Sequence, residues 1–184
     1  MRKKIVFRII LATVILSTLF LITREPRNDR EWEKEIAYTS TASLEPNDTV
    51  IIKNVRDFAY GDGTITSMNW IPEVKISTQD IVHAWFILEP FAAWEVVGHT
   101  FLILELNDGS AYSFSIEARM EKGEKYSALW GLFRKYELAY TWGTERDFIT
   151  RRLLYLNHTV KMYPLTLDAE RTQRPFLALI KKTN

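Results

Sequence analysis

The sequence predicts an α+β fold with a mainly antiparallel sheet, flanking helices and one separate apolar helix at the N-terminus. Three observations favour this class. A hairpin pattern surrounds Asp108-Gly109, β-branched runs precede it, and segments with helical spacing follow it. Strands that come before and between helices favour α+β over a doubly wound parallel sheet.

The first predicted element is an apolar helix over residues 5–22. Three basic side chains, Arg2, Lys3 and Lys4, precede it, and a fourth, Arg8, lies near its start. A positive segment before an apolar run is typical of a secretory signal or a signal anchor. No small-residue cleavage site follows Ile22, which favours an uncleaved transmembrane anchor over a cleaved signal peptide. The positive-inside rule then predicts export of the rest of the chain. A buried core helix is disfavoured, because four cations fit poorly into a core.

The sequence divides into an anchor at 1–24, a polar tether at 25–48 and a folded domain at 49–184. Within the domain, strands are predicted at 49–58, 81–88, 138–142 and 160–163, and helices at 127–136 and 168–182. Residues 148–155 fit either state. Pro164 is expected to close the last strand, because proline cannot donate a ladder hydrogen bond.

The clearest local prediction is a hairpin of residues 100–106 and 111–118. If Asp108-Gly109 forms a two-residue type I′ turn, His99 lies opposite Ala118 and Phe101 lies opposite Ile116. Because successive residues of a strand point to opposite faces, this register turns Ser113 and Ser115 away from His99.

The composition excludes several classes of function. With 24 basic and 23 acidic side chains, the net charge of +1 does not support binding to nucleic acid. The absence of cysteine excludes disulfides, zinc fingers, iron–sulfur clusters and a cysteine nucleophile from this chain. No phosphate loop or Gly-x-Ser-x-Gly elbow is present, and the histidines are too far apart to suggest a metal site. We expect no metal and no cofactor.

Two features are candidates for chemistry. His99 begins a core strand after Gly98, where an imidazole could act as a general base, although a structural histidine that is hydrogen-bonded to the backbone at a strand end is the favoured interpretation. The charged stretch Glu145–Arg152 could be an ion-pair network or an anion site for a lipid phosphate, and the network is the favoured interpretation.

A series of short motifs resembles the Lnb N-terminal periplasmic domain family. The similarity covers roughly Val50 to Asn184, in the order and spacing of the family. The motifs are NVRDFAY at 54–60, HTFL at 99–102, SIEAR at 115–119, EKGEKYS at 121–127, GLFRKYEL at 131–138, ERD at 145–147, Arg152 and MYPL at 162–165.

The resemblance implies an exported bacterial domain related to a lipoprotein N-acyltransferase, which the anchor predicted at residues 5–22 would hold at the inner membrane. Such an enzyme moves an acyl chain from a phospholipid to the N-terminal amine of a lipoprotein. The implied fold is similar to circularly permuted papain-like thiol hydrolases, in which His99 fits the base. Orienting or phosphate-binding roles are implied for the charged positions Glu117, Arg119, Glu145, Arg146 and Arg152.

The family pattern continues beyond its terminal helix into a segment with a cysteine, which this sequence lacks. Three interpretations follow. The favoured one is a non-catalytic, membrane-anchored domain that binds phospholipid or a lipoprotein. The second is the front part of a cysteine-dependent acyltransferase. The third is a hydrolase using Ser113 or Ser115, which ranks last because the predicted register turns both away from His99. A hydrogen bond between His99 and either hydroxyl would reverse that ranking.

Overall fold

The computed structural model describes residues 2–22, 25–46, 48–91, 94–166, 180 and 183. The helical elements are α1 (Arg2–Ile22), α2 (Ala128–Leu132) and α3 (Glu145–Thr150), with short 3-10 turns at Lys34–Ile36 and Thr78–Asp80 and a π-helical turn at Arg151–Tyr155. The strands are β1 (Thr41–Glu45), β2 (Thr49–Arg56), β3 (Ala59–Gly61), β4 (Thr64–Ser67), β5 (Trp70–Ser77), β6 (Ile81–Phe91), β7 (Trp94–Leu106), β8 (Ala111–Arg119), β9 (Glu137–Thr144) and β10 (Lys161–Leu165).

Most of these strands form one sheet in the order β1-β2-β9-β8-β7-β6-β10, with β5 also pairing with β2, while β3 and β4 form a separate small sheet. The pairs β1–β2, β2–β5, β6–β7, β7–β8 and β6–β10 are antiparallel. Arg56 and Gly143 join β2 and β9 in parallel. This mostly antiparallel sheet with few helices confirms the α+β prediction.

Alternation along β7 supplies side chains to two hydrophobic clusters. Leu104 and Leu106 join a cluster that includes Val50, Ile52, Phe114 and Trp142, while Phe101 and Ile103 pack with Ile87 and Phe148. Because residues two apart share a face of a strand, the hairpin separates the two clusters. The second cluster surrounds the candidate site described below.

The chain divides into two compact units. Unit 1 contains Met1–Lys34 and Ala118–Glu137, and unit 2 contains Glu35–Glu117 and Leu138–Asn184. In unit 1, the apolar side chains of α1 are exposed, for example Phe7 and Leu16 at 66% each. Among the described residues, no helix has the length and apolarity that crossing a membrane requires. The predicted helix is therefore present, but its membrane-spanning role is not confirmed.

The hairpin is present, but its predicted register is wrong by one residue. The loop has three residues rather than two, because Leu106 N donates to Ser110 O at 2.8 Å and Gly109 adopts a φ of +85°. Glycine enters that left-handed region without the steric cost that other residues incur. Phe101 consequently pairs with Ser115, and Ile103 with Ser113. A shift of one residue moves both serines to the face that carries His99.

Other boundaries also differ from the sequence-based expectations. Part of the predicted tether is in the sheet, since Thr41–Glu45 pairs with β2. The helix predicted at 127–136 is only Ala128–Leu132, and the ambiguous residues 148–155 are helical. Pro164 lies inside β10, which tolerates it because β10 ends the strand order. The predicted terminal helix at 168–182 falls outside the described residues, apart from Ile180.

Candidate functional site

His99 lies on β7 with its imidazole held from the neighbouring strand. Its Nε2 is 2.8 Å from Ser115 Oγ and 3.4 Å from Glu117 Oε1, and both residues belong to β8. The His99 side chain is 22% exposed to solvent, whereas Ser115 is only 1% exposed. The observed register, rather than the predicted one, brings these three residues together.

Gly98 allows the strand that carries His99 to approach β6 closely. A Cβ at this position would lie 2.5 Å from Glu89 O, a distance that no ordinary side chain accepts. Glu89 is the cross-strand partner of His99 in the β6–β7 register. The absence of a side chain at Gly98 therefore allows the close spacing between His99 and Glu89, the second acidic residue of the site.

Glu117 is ionised in this environment. Burial opposes its ionisation, but the charge of Arg152 and the contact with His99 outweigh burial and hold the pKa of Glu117 well below its usual range. Arg152 Nη2 donates to Glu117 Oε1 at 2.9 Å. A carboxylate oxygen only accepts hydrogen bonds, so it favours a proton on the ring nitrogen that faces it.

Arg152 is the centre of the site and is fully buried. Besides Glu117, its guanidinium donates from Nε to Glu89 Oε2 at 3.2 Å and from Nη1 to the Phe148 carbonyl at 3.3 Å. It also lies over the ring of Phe101, with Cζ 4.4 Å from the centroid. The π-helical turn Arg151–Tyr155 positions it, a local geometry that is frequent at functional sites.

A second histidine ends this chain of contacts. His158 Nδ1 lies 2.5 Å from Glu89 Oε1, and its side chain remains 43% exposed. The five side chains therefore form the sequence His99–Glu117–Arg152–Glu89–His158, in which every contact joins groups of opposite or potentially opposite charge. We call these five residues the histidine–carboxylate chain.

Proton location on His99 follows from these contacts. Because Nε2 faces the ionised Glu117, we assign the proton of the neutral imidazole to Nε2, from which it can be donated to Ser115 Oγ or Glu117 Oε1. The lone pair is then on Nδ1. The arrangement can hold an imidazole in one orientation, place the Glu117 carboxylate beside Nε2, and offer Nδ1 as the basic atom.

Three of the six site residues predicted from sequence are together, namely His99, Glu117 and Arg152. The other three lie elsewhere. Arg119 belongs to unit 1, where its guanidinium donates to Asn28 Oδ1 at 2.7 Å and stacks 4.2 Å from the Trp32 ring centroid. Glu145 begins α3, and burial, with a smaller effect of Glu105, raises its pKa.

Arg146 also takes part in a separate contact, because its Nη2 donates to Asp57 Oδ1 at 2.7 Å. Thr144 Oγ1 donates to the same oxygen at 2.8 Å. Although burial opposes ionisation of Asp57, the hydrogen bonds from Thr144 and Arg146 hold its pKa below the usual value. These contacts join the loop before β3 to the start of α3, as an ion-pair network does.

A buried ion pair lies in the same unit. Arg56 donates from Nε to Asp147 Oδ2 and from Nη2 to Asp147 Oδ1, both at 2.8 Å, and both side chains are almost completely buried. Asp147 also accepts from Phe58 N at 2.8 Å. Each strong acceptor of the carboxylate is occupied by a protein donor, which indicates a structural role.

Sequence reasoning missed Glu89 and His158 and ranked Ser115 last. The two missed residues lie 69 positions apart, and only their pairing across the fold marks them. A signal for Ser115 was present in the alternative three-residue loop, which Gly109 also permits. Among the described residues, no group of three or more His, Cys, Asp or Glu side chains could hold a metal ion.

The part of the chain that contains this site also matches a known protein family. A family model described as the Lnb N-terminal periplasmic domain matches residues 67–183. All five residues of the histidine–carboxylate chain, and Ser115, lie in that range. No curated protein and no solved structure gives a match.

Proposed function

Because the chain belongs to the Lnb N-terminal periplasmic domain family, we propose that it supplies the histidine base for thiol-dependent acyl transfer from phospholipid to a lipoprotein. The nucleophilic thiol comes from outside these 184 residues, which contain no cysteine. The observation that carries the proposal is the position of His99 Nε2 against Ser115 Oγ and Glu117 Oε1, from which we assign the basic lone pair to Nδ1.

The proposed chemistry has two balanced steps. His99 Nδ1 takes the proton of the thiol, and the thiolate attacks the phospholipid ester carbonyl. The ester bond breaks, and the lysophospholipid leaves with the proton that the imidazolium returns. The amine of the lipoprotein then attacks the thioester, its proton passes to Nδ1, and the thiol leaves with that proton as the amide forms.

Glu117 and Arg152 support this role by their charges. The imidazolium that forms in each step faces the Glu117 carboxylate at 3.4 Å, so a negative charge lies next to the positive charge that develops. Arg152 holds that carboxylate at 2.9 Å and prevents it from rotating away. In this proposal Glu117, Ser115 and Arg152 are positioning residues, and the sheet histidine is consistent with a permuted papain-like fold.

A serine-dependent hydrolase is the second candidate, because Ser115 Oγ lies 2.8 Å from His99 Nε2. The sequence analysis ranked this candidate last because Ser115 was expected to face away from His99, and the observed contact removes that reason. However, Ser115 is 1% exposed and lies inside β8, so a substrate carbonyl has little access to it. We therefore assign Ser115 to orienting the imidazole rather than to attack.

The test uses the purified full chain with phosphatidylglycerol in detergent and a small thiol, N-acetylcysteine methyl ester. We expect thiol-dependent release of lysophospholipid and S-acylation of the added thiol, detected by mass spectrometry. His99→Ala abolishes it, while the matched control His83→Ala, an exposed histidine on β6, retains it.

Two outcomes contradict the proposal. Thiol-independent hydrolysis that is lost in Ser115→Ala would favour the serine hydrolase. Absence of acyl transfer with and without thiol would favour the non-catalytic domain that binds phospholipid or lipoprotein.

Retention at the inner membrane through residues 5–22 is also proposed. It is supported by the basic start of α1 and the exposure of its apolar side chains. If the segment is retained, the protein remains in the membrane fraction after alkaline extraction, and its N-terminal sequence starts at or near Met1. Release of a shortened protein into the soluble periplasmic fraction would contradict retention.

A further inference from the structure

Unit 1 carries exposed apolar side chains on α2 and beside it. Leu129, Trp130 and Phe133 are 63%, 56% and 57% exposed, and Tyr126 is 54% exposed. Trp130 and Phe133 contact each other, with ring centroids 6.2 Å apart. Exposing this much apolar surface in one short stretch is unfavourable in water and marks a contact surface.

Hydrogen bonds to a buried tyrosine hold the backbone of this stretch in place. Tyr136 is buried, accepts from Ser127 N at 2.8 Å and donates to the Lys125 carbonyl at 2.9 Å. Ser127 Oγ also caps α2 by accepting from Trp130 N. The apolar side chains are therefore presented outward by a held loop.

Basic side chains accompany them, while the two acidic side chains within the same segment, residues 121–133, have partners. Lys122 and Lys125 are exposed, and their ammonium groups make no ion pair within the described part of the chain. By contrast, Glu121 pairs with Arg30 at 2.9 Å, and Glu124 pairs with Lys135 at 3.4 Å. The electrostatic character of the exposed stretch is thus positive.

We propose that this surface, formed by Lys122, Lys125, Tyr126, Leu129, Trp130 and Phe133, docks onto an anionic phospholipid bilayer. Tryptophan and phenylalanine favour the interfacial region of a bilayer, and lysine ammonium groups favour its phosphates. Charge complementarity selects an anionic lipid surface as the occupant. The surface contains no residue of the histidine–carboxylate chain, so the inference stands independently of the proposed acyl transfer.

The absence of cysteine makes a local test possible. Leu129→Cys in the full chain is labelled with an environment-sensitive fluorophore, NBD, and Met68→Cys, which replaces a half-exposed residue of unit 2, is the matched control. Both are reconstituted with phosphatidylethanolamine–phosphatidylglycerol vesicles that carry doxyl-labelled lipid. We expect a blue shift and quenching at position 129 and neither at position 68.

A second experiment tests whether the two lysines select anionic lipid. Lys122→Gln/Lys125→Gln lowers the docked fraction at position 129 in phosphatidylglycerol vesicles, by up to about five-fold for each lysine removed. The same double substitution has little effect in phosphatidylcholine vesicles. A label at 129 that stays aqueous with vesicles, or that is already shielded without them, overturns the proposal, since the latter result indicates a protein partner or a second copy.

Discussion

Ser113 and Ser115 point to the same face of β8 and are equally buried, yet their hydroxyl groups differ. Ser115 Oγ lies 2.8 Å from His99 Nε2. Ser113 Oγ has no hydrogen-bond partner within the described residues. The two serines therefore form a matched pair in which one hydroxyl orients the candidate base and the other does not.

Substituting each serine by alanine separates these roles. Ser115→Ala should lower the free energy of unfolding by about 1 kcal/mol, because it removes a buried hydrogen bond. Ser113→Ala should leave it unchanged or raise it, since it removes a buried hydroxyl without a partner. Urea denaturation measures both, and the ¹⁵N shifts of His99 should change only in Ser115→Ala. Equal effects of the two substitutions would contradict the assignment.

Glu117 should contribute stability that depends on pH. Its pKa is lower in the folded protein than the ordinary value of 4.5, so its contribution is complete above that value and is lost as pH falls through the folded pKa. Glu117→Gln should reduce the free energy of unfolding by about 1–3 kcal/mol near neutral pH. The free energies of unfolding of the variant and the wild type should become equal at acidic pH.

Denaturation at a series of pH values measures this difference. Glu73→Gln is the control, because Glu73 is exposed and contacts Lys75 at 3.6 Å. A surface pair of this kind contributes little. A gap between wild type and Glu117→Gln that widened in acid would show that the sign is wrong.

The Arg56–Asp147 pair should be costly to break on one side. Arg56→Met leaves a buried carboxylate without its main partner, and we expect a loss of about 3–5 kcal/mol in the free energy of unfolding. Arg56→Met/Asp147→Leu should recover part of this loss. The control Arg27→Ala, at a pair whose side chains are 57% and 65% exposed, should be unchanged within error. Additive effects in the double variant would refute the coupling.

Gly98 should tolerate no side chain. Gly98→Ala forces its Cβ against Glu89 O, so β6 and β7 must separate at His99, at a cost of about 1–3 kcal/mol. Gly61→Ala is the control, because its Cβ would meet Thr66 Cγ2 at an ordinary 3.5 Å. Thermal unfolding and the His99 NMR signals report the difference. An unperturbed His99 in Gly98→Ala would argue against this spacing role.

These residues also show what sequence patterns can and cannot predict. The β-branched run from Thr49 and the strands on both sides of Asp108-Gly109 are local features, and their strands were predicted correctly. The register was not, because Asp-Gly fits a two-residue or a three-residue loop, and the choice rests on the strand pairing. His99 was singled out by its place at the start of a core strand, Arg152 by the charged stretch that it ends, and Glu117 through the family motifs. Glu89 and His158 were not, since no local pattern joins strand residues to a distant loop.

The π-helical turn at Arg151–Tyr155 has a consequence for how this protein can change over evolution. Such a turn holds one more residue than an α-helical turn, so removing a single residue from it would restore an ordinary α-helical turn. Residues before and after the turn would keep their orientations, while those within it, Arg152 among them, would take new ones. A deletion here would therefore move the guanidinium of Arg152 relative to Glu89 and Glu117 without altering any of the three side chains. Chain length in this segment is constrained as strictly as residue identity, and homologues that lose one position here should have lost the charged partners as well.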